Sequence, residues 1–245
     1  MKTSKWNGFE RVDFGFKDRD CILVFPNNEN KTDKWLLKTE YFYAFPKLEI
    51  EMLKRGYHIA YMKNVTRWGM EDDYDKKFLL AKFLNEKYGL NRKCAMVGMS
   101  CGGLHAINLA AKYPNMAAVL YLDAPVVNLL SCPAYMGRPA EREGDKNMWD
   151  EFYAAKGISR SELIGLRTHP LDKIPVLSKN KIPIILVVGD SDKTVPYDEN
   201  GIHIRNLYEQ SDCPFEFHEK KGCDHHPHGL DDNEPIIRFI EKYYR

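Results

Sequence analysis

The sequence predicts an α/β fold, a mostly parallel central sheet with helices on both faces. Three observations carry this. Short apolar runs alternate with helical patterns along most of the chain. Ile182–Val188 is a nearly continuous apolar run, as expected of a strand covered on both faces. The unit Cys94–Val97, Gly98-Met99-Ser100-Cys101-Gly102, Leu104–Tyr113, Ala118–Leu122 reads as strand, tight turn, helix and strand.

The elements follow in order. Phe9–Phe16 alternates loosely and turns through Asp18–Asp20 into Cys21–Phe25, which predicts an antiparallel edge pair. Lys47–Arg55 is helical in pattern behind Pro46, with Gly56 as its stop. Tyr57–Met62 is a strand. Asp72–Tyr88 is a helix with a partly apolar face, ended by Gly89. Pro114 stops the helix that follows the glycine-rich turn. After Leu122 the alternation breaks off. Residues at about 126–175 carry several prolines, a charged piece from Arg138 to Lys146 and two short helical patterns, Trp149–Lys156 and Ser159–Leu166. Such an excursion reads as a small helical cap over the strand ends, where ligands bind in open α/β sheets. Ile182–Val188, the helix Asn200–Gln210, the strand Phe215–His218 and the helix Glu234–Tyr244 complete the chain. We expect a single domain over 1–245, with the cap as an insertion.

Composition excludes several classes. The net charge is +1, so no basic field points to nucleic acid. No apolar run is long enough to cross a bilayer, the first residues lack a signal-like apolar stretch, and the six cysteines are scattered without a C-x-x-C. A cytoplasmic protein with free thiols is expected. A mean hydropathy of −0.50 and a mostly polar cap disfavour a long-chain lipase.

The chemistry begins at Ser100. G-x-S-x-G between strand and helix is the pattern of a nucleophile elbow, and an ordinary serine needs a histidine and an acid to become nucleophilic. After Val188 two acids compete. Asp190, directly behind the strand, suits a turn cap; Asp192, further out, can reach a histidine and is preferred. Asp123 is a third candidate, read as part of a strand-end turn. The base falls in Gly222-Cys-Asp-His225-His226-Pro-His228, behind the last strand. Three close histidines invite a metal reading. They sit on an irregular loop without helical spacing or a matching cysteine or glutamate set, so His225 is read as the base and no metal is expected. The remaining histidines have no comparable context. The order Ser100, Asp192, His225 is that of one of the three unrelated triad arrangements.

On Gly98–Gly102, Gly189-Asp-Ser-Asp-Lys-Thr-Val-Pro196 and Gly222–His225 the chain resembles the α/β-hydrolase superfamily, in particular compact bacterial esterase-like, dienelactone-hydrolase-like or prolyl-oligopeptidase-like members. The resemblance runs from Cys21 to the last helix. It implies Asp192 as the acid, His225 as the base and a serine hydrolase that forms an acyl-enzyme without metal or organic cofactor. An ester of a small polar molecule, for instance a carbohydrate, is the expected substrate; a small peptidase and a non-catalytic binding protein are the alternatives. The backbone N–H of Cys101 is one expected oxyanion donor. The second is expected from Asn27 or Asn28, where the loop reads Pro-Asn-Asn-Glu-Asn rather than His-Gly-Gly-Gly. Trp35, Trp68, Met70 and Trp149, with Tyr135 and Met136, are candidate substrate-lining residues on loops or cap. Arg67 and Arg138 are candidate partners for a substrate carboxylate. Neither a nucleic acid nor a membrane partner is expected, and the oligomeric state is left open.

Overall fold

A computed structural model of the chain describes residues 2–137 and 146–245, apart from the side chains of Asn28 and Lys146. Its strands are β1 (Lys2–Trp6), β2 (Phe9–Phe16), β3 (Arg19–Val24), β4 (Trp35–Lys38), β5 (His58–Met62), β6 (Cys94–Met99), β7 (Ala117–Asp123), β8 (Ile184–Gly189) and β9 (Phe215–Lys220). They form one sheet in the order β1-β2-β3-β5-β4-β6-β7-β8-β9. The pairs from β1 to β3, and β3 with β5, are antiparallel; from β5 to β9 every pair is parallel.

Alternation along the strands divides the apolar residues between two cores. Leu37, Met96, Leu120 and Leu186 face the side covered by α2 (Glu71–Tyr88), α3 (Cys101–Lys112), α6 (Pro170–Lys179) and α7 (Gly201–Glu209). Leu36, Val97, Val119, Ile185 and Val187 face α1 (Lys47–Lys54) and α8 (Glu234–Tyr243). The sheet is thus mostly parallel with helices on both faces. A third apolar cluster joins Cys101 and Leu104 at the start of α3 to Trp149 and Phe152 of α4 (Lys146–Lys156) and Leu163 of α5 (Arg160–Gly165). No helix among the described residues is long and apolar enough to cross a membrane.

Three elements depart from the sequence reading. β1 adds an outer strand to the expected edge pair. α6 forms despite Pro175 inside it. The third, β4, matters most, because it inserts between β5 and β6, where no strand was expected. Its short run Trp-Leu-Leu-Lys ends in a lysine that is fully buried. Lys38 Nζ donates to Glu49 Oε1 of α1 at 2.6 Å and to the Ala44 carbonyl at 3.2 Å, and lies 3.2 Å from Met99 Sδ. This buried ion pair ties α1 and β4 to the last residue before Ser100. Removing one partner of such a pair strands a charge in the core. Glu49→Ala is therefore expected to lower unfolding stability by about 3–5 kcal/mol, measured by urea denaturation; a loss within experimental error would show that the pair carries no net stability.

Candidate active site

β6 delivers its chain into Ser100, which adopts φ 53° and ψ −122°. A non-glycine residue at such a φ is strained and persists only when its surroundings hold it. Here the Ser100 N–H donates to the Asp123 carbonyl at 2.9 Å, and its carbonyl accepts from Gly103 N at 2.9 Å and Val126 N at 3.0 Å. The glycines permit the tight approach. A Cβ on Gly98 would sit 2.8 Å from the Gly102 carbonyl oxygen, and one on Gly103 would sit 2.3 Å from Pro125 Cβ. Thr39, just past β4, places its hydroxyl 2.9 Å from the Val97 carbonyl oxygen and 2.7 Å from that of Gly102, bracing the turn from the other side.

The loop after β8 carries Asp192. Its Oδ1 accepts from Thr194 N at 2.9 Å and Val195 N at 2.8 Å, so the carboxylate is fixed by backbone before it meets a histidine. His225 Nδ1 lies 2.8 Å from Asp192 Oδ2, and His225 Nε2 lies 3.0 Å from Ser100 Oγ. A carboxylate beside Nδ1 favours the tautomer with the proton there, leaving Nε2 to accept from the serine hydroxyl. Both Asp192 and His225 are buried. Asp224 joins their loops: its Oδ1 accepts from the backbone N–H of His225 at 2.7 Å and of Lys193 at 3.0 Å. These bonds hold the Asp224 carboxyl below its ordinary pKa. Asp190 is exposed and accepts from Gly222 N and Ser191 Oγ, the turn-capping part its position suggested.

Asp123 has a role that sequence reasoning missed. It is fully buried at the end of β7 and receives three hydrogen bonds, from His228 Nδ1, Gly229 N and Tyr121 Oη, each at 2.7 Å. Burial alone would raise its pKa. The hydrogen bonds from His228 and Tyr121, with the nearby Lys220 ammonium, outweigh that and hold it below the ordinary value. The histidine loop is therefore pinned by two Asp–His pairs. Between them, His226 is exposed and stacks on Phe45 at 5.3 Å.

The oxyanion assignment needs correction. Cys101 opens α3, so its N–H has no partner within the helix. Asn27 and Asn28, however, lie at the wrong end of the sheet. β3 runs antiparallel to β5, with Val24 opposite Ile59, so the chain leaves β3 beside the start of β5. There Thr32 N bonds the Gly56 carbonyl at 3.0 Å. The serine lies at the far end of the parallel strands. The connection that reaches it follows β4: Thr39, Glu40 and Tyr41, the last at φ 53°. Tyr41 packs against the apolar cluster that holds Cys101, and Arg67 stands close to both. Recognising Trp35–Lys38 as a strand would have moved the expected donor to this segment.

The predicted lining also divides. Trp35 is not on a loop; it is fully buried in β4 and its Nε1 donates to the Asn91 carbonyl at 2.8 Å, so it is a core residue. Trp68 and Trp149 both pack around Phe152 in the cluster that includes Cys101, and the Arg160 guanidinium lies 4.0 Å from the Trp149 ring centroid. Met70 is half-buried at the start of α2, where its N–H donates to Asp73 Oδ2 at 3.1 Å. Tyr135 Oη lies 3.2 Å from Met148 Sδ, and Met136 is exposed. Arg67 pairs with Glu151 of α4 at 2.6 Å. Arg138 lies outside the described residues.

Comparison with known proteins places the chain. In sequence the chain is similar to the acylamino-acid-releasing enzymes of Rattus norvegicus (26% identity over 153 residues) and Homo sapiens (24% over 153 residues). Each match covers 57% of this chain and 18% of the relative, so the chain spans less than a fifth of those proteins' length. In structure it is similar to an esterase of Pyrococcus furiosus, with TM-score 0.66 and 16% identity, covering 100% of this chain and 98% of that one. It is also similar to an acylaminoacyl peptidase of Pyrococcus horikoshii, with TM-score 0.66 and 19% identity, covering 96% of this chain and 42% of that one. The model of the Esterase family, described as "Putative esterase", matches residues 54–234, well over half of the chain. The chain belongs to the Esterase family and, with it, to the α/β-hydrolase superfamily.

Proposed function

We propose that this hydrolase cleaves carboxylic esters of small polar molecules through a Ser100–His225–Asp192 triad and an acyl-enzyme. The observation that carries the reading is the continuous chain from Asp192 Oδ2 through His225 to Ser100 Oγ, at 2.8 and 3.0 Å. In this reading Ser100 Oγ attacks the acyl carbonyl while His225 Nε2 takes its proton. Asp192 stabilises the imidazolium that forms. The tetrahedral oxyanion is met by the Cys101 N–H and by a donor from the Thr39–Tyr41 segment, each such donor being worth on the order of 3 kcal/mol in barrier. His225 then returns the proton to the leaving alcohol, and water attacks the acyl-enzyme by the same route. Polar groups beside Cys101, namely Tyr41, Arg67 and its partner Glu151, favour a small polar substrate.

A peptidase reading rests on the similarity to acylamino-acid-releasing enzymes and, in structure, to an acylaminoacyl peptidase. The two readings share the attack and differ in the leaving group, an alcohol or a poorer amine.

Cys101 is placed in this mechanism through its N–H alone. Burial pushes its thiol up to about 11, against the opposing pull of the Tyr41 hydroxyl and Arg67. Such a thiol stays protonated near neutral pH.

Ser100→Ala is expected to reduce turnover of p-nitrophenyl acetate by a factor of about 10⁴ or more; wild-type turnover would end the triad reading. Profiling short acyl esters and acetylated sugars against N-acylated amino-acid amides is expected to give higher kcat/KM on the esters, and the reverse preference would establish the peptidase. Treatment of the native enzyme with iodoacetamide at pH 7.5 is expected to leave Cys101 unmodified in peptide maps. Its ready alkylation would contradict the raised thiol pKa.

A further inference from the structure

The histidine loop holds more imidazole than acyl transfer needs. His225, His226 and His228 each present a ring nitrogen, and these three atoms lie within 4.8 Å of one another. The ring centroids are 4.8, 5.0 and 4.9 Å apart. Helical spacing, whose absence argued against a metal in the sequence, is not what brings them together. The loop folds back because two buried carboxylates hold it.

Those carboxylates supply the second observation. Asp192 Oδ2 takes His225 Nδ1 at 2.8 Å, and Asp123 Oδ1 takes His228 Nδ1 at 2.7 Å. In both rings Nδ1 is engaged, so Nε2 is the nitrogen left to act as a ligand. A carboxylate behind the distal nitrogen is the arrangement that orients metal-binding histidines and raises their basicity. The carboxylates are themselves fixed: Asp192 by two backbone N–H groups, and Asp123 by Tyr121 Oη and Gly229 N. Two anionic charges therefore stand behind three imidazoles, which favours a dication among them. His226 is the exposed member, resting on Phe45, and provides the solvent-side entry.

We propose that His225, His226 and His228 bind a divalent transition-metal ion of the zinc class, and that its occupancy switches hydrolysis off. Three imidazoles suit zinc, copper(II) or nickel, whereas magnesium and calcium require oxygen ligands. The ion takes the lone pair of His225 Nε2, the one that otherwise accepts from Ser100 Oγ at 3.0 Å. Metal and serine therefore compete for one nitrogen, and the inhibition is reversible on chelation. The inhibitory half rests on the triad reading; the binding half does not.

The test separates them. Zinc binding to the chelator-treated full chain is measured by isothermal titration, and cobalt(II) by its visible absorption. In parallel, p-nitrophenyl acetate turnover is followed against free zinc. One ion per chain is expected, with saturable inhibition that a chelator reverses and magnesium does not reproduce. His226→Ala, at an exposed position, is expected to weaken both zinc binding and inhibition by about tenfold or more, and His226→Asn by a similar factor. Asp123→Asn, which loosens the carboxylate behind His228, is expected to weaken binding by about 10–100-fold. Ser100→Ala, which removes the competitor and no ligand, is expected to bind zinc at least as tightly as wild type. Because that variant is read by binding alone, it tests the site even if the triad reading fails. Zinc bound no more tightly by wild type than by the His226 variants overturns the site. Full occupancy with undiminished turnover overturns the switch.

Discussion

The structure depends on holding one serine in a backbone conformation it would not choose. Ser100 at φ 53° is a local cost, on the order of 1–3 kcal/mol. The turn survives because β6, β7 and the start of α3 over-determine it: Asp123, Gly103 and Val126 bond its backbone, and Gly98 and Gly103 leave room only hydrogen could fill. Beneath it, the Lys38–Glu49 pair reaches Met99, the neighbouring residue. A hydroxyl raised at a sheet edge is thus the outcome of packing in three separate elements.

The partners of that serine are rigid for a different reason. They come from loops, and loops alone do not hold a side chain to a fraction of an ångström. Here each is tied before it is used. Asp192 is bound by its own loop's amides, Asp224 joins the two loops, and Asp123 clamps His228 beside His225. Strand β7 contributes at both levels, since Asp123 bonds Ser100 through its carbonyl and the histidine loop through its carboxylate.

How legible this was depended on how local each signal is. β6 and β8 are apolar runs buried on both faces with their loops following directly, so Ser100 and Asp192 could be singled out; His225 follows the half-buried β9 and stood out through the histidine-rich loop behind it. β4 could not be seen that way: four residues, closed by a lysine whose burial depends on a glutamate eleven residues on. Missing it turned Trp35 into a supposed loop aromatic. It also sent the oxyanion search to Asn27 and Asn28, at the opposite end of the sheet. α6 was hidden by Pro175, which normally argues against a helix interior. Asp123 read as a turn residue because its partner, His228, lies 105 positions away and is supplied by tertiary folding alone.

The order of strands in the sheet has a temporal consequence. The hydroxyl at 100 and the imidazole at 225 are separated by 125 positions, and the second arrives only after the last strand has docked. Pairings of such long sequence separation are late and slow to form. During synthesis, therefore, the strained turn at 100 can be complete before the histidine loop that faces it has been made.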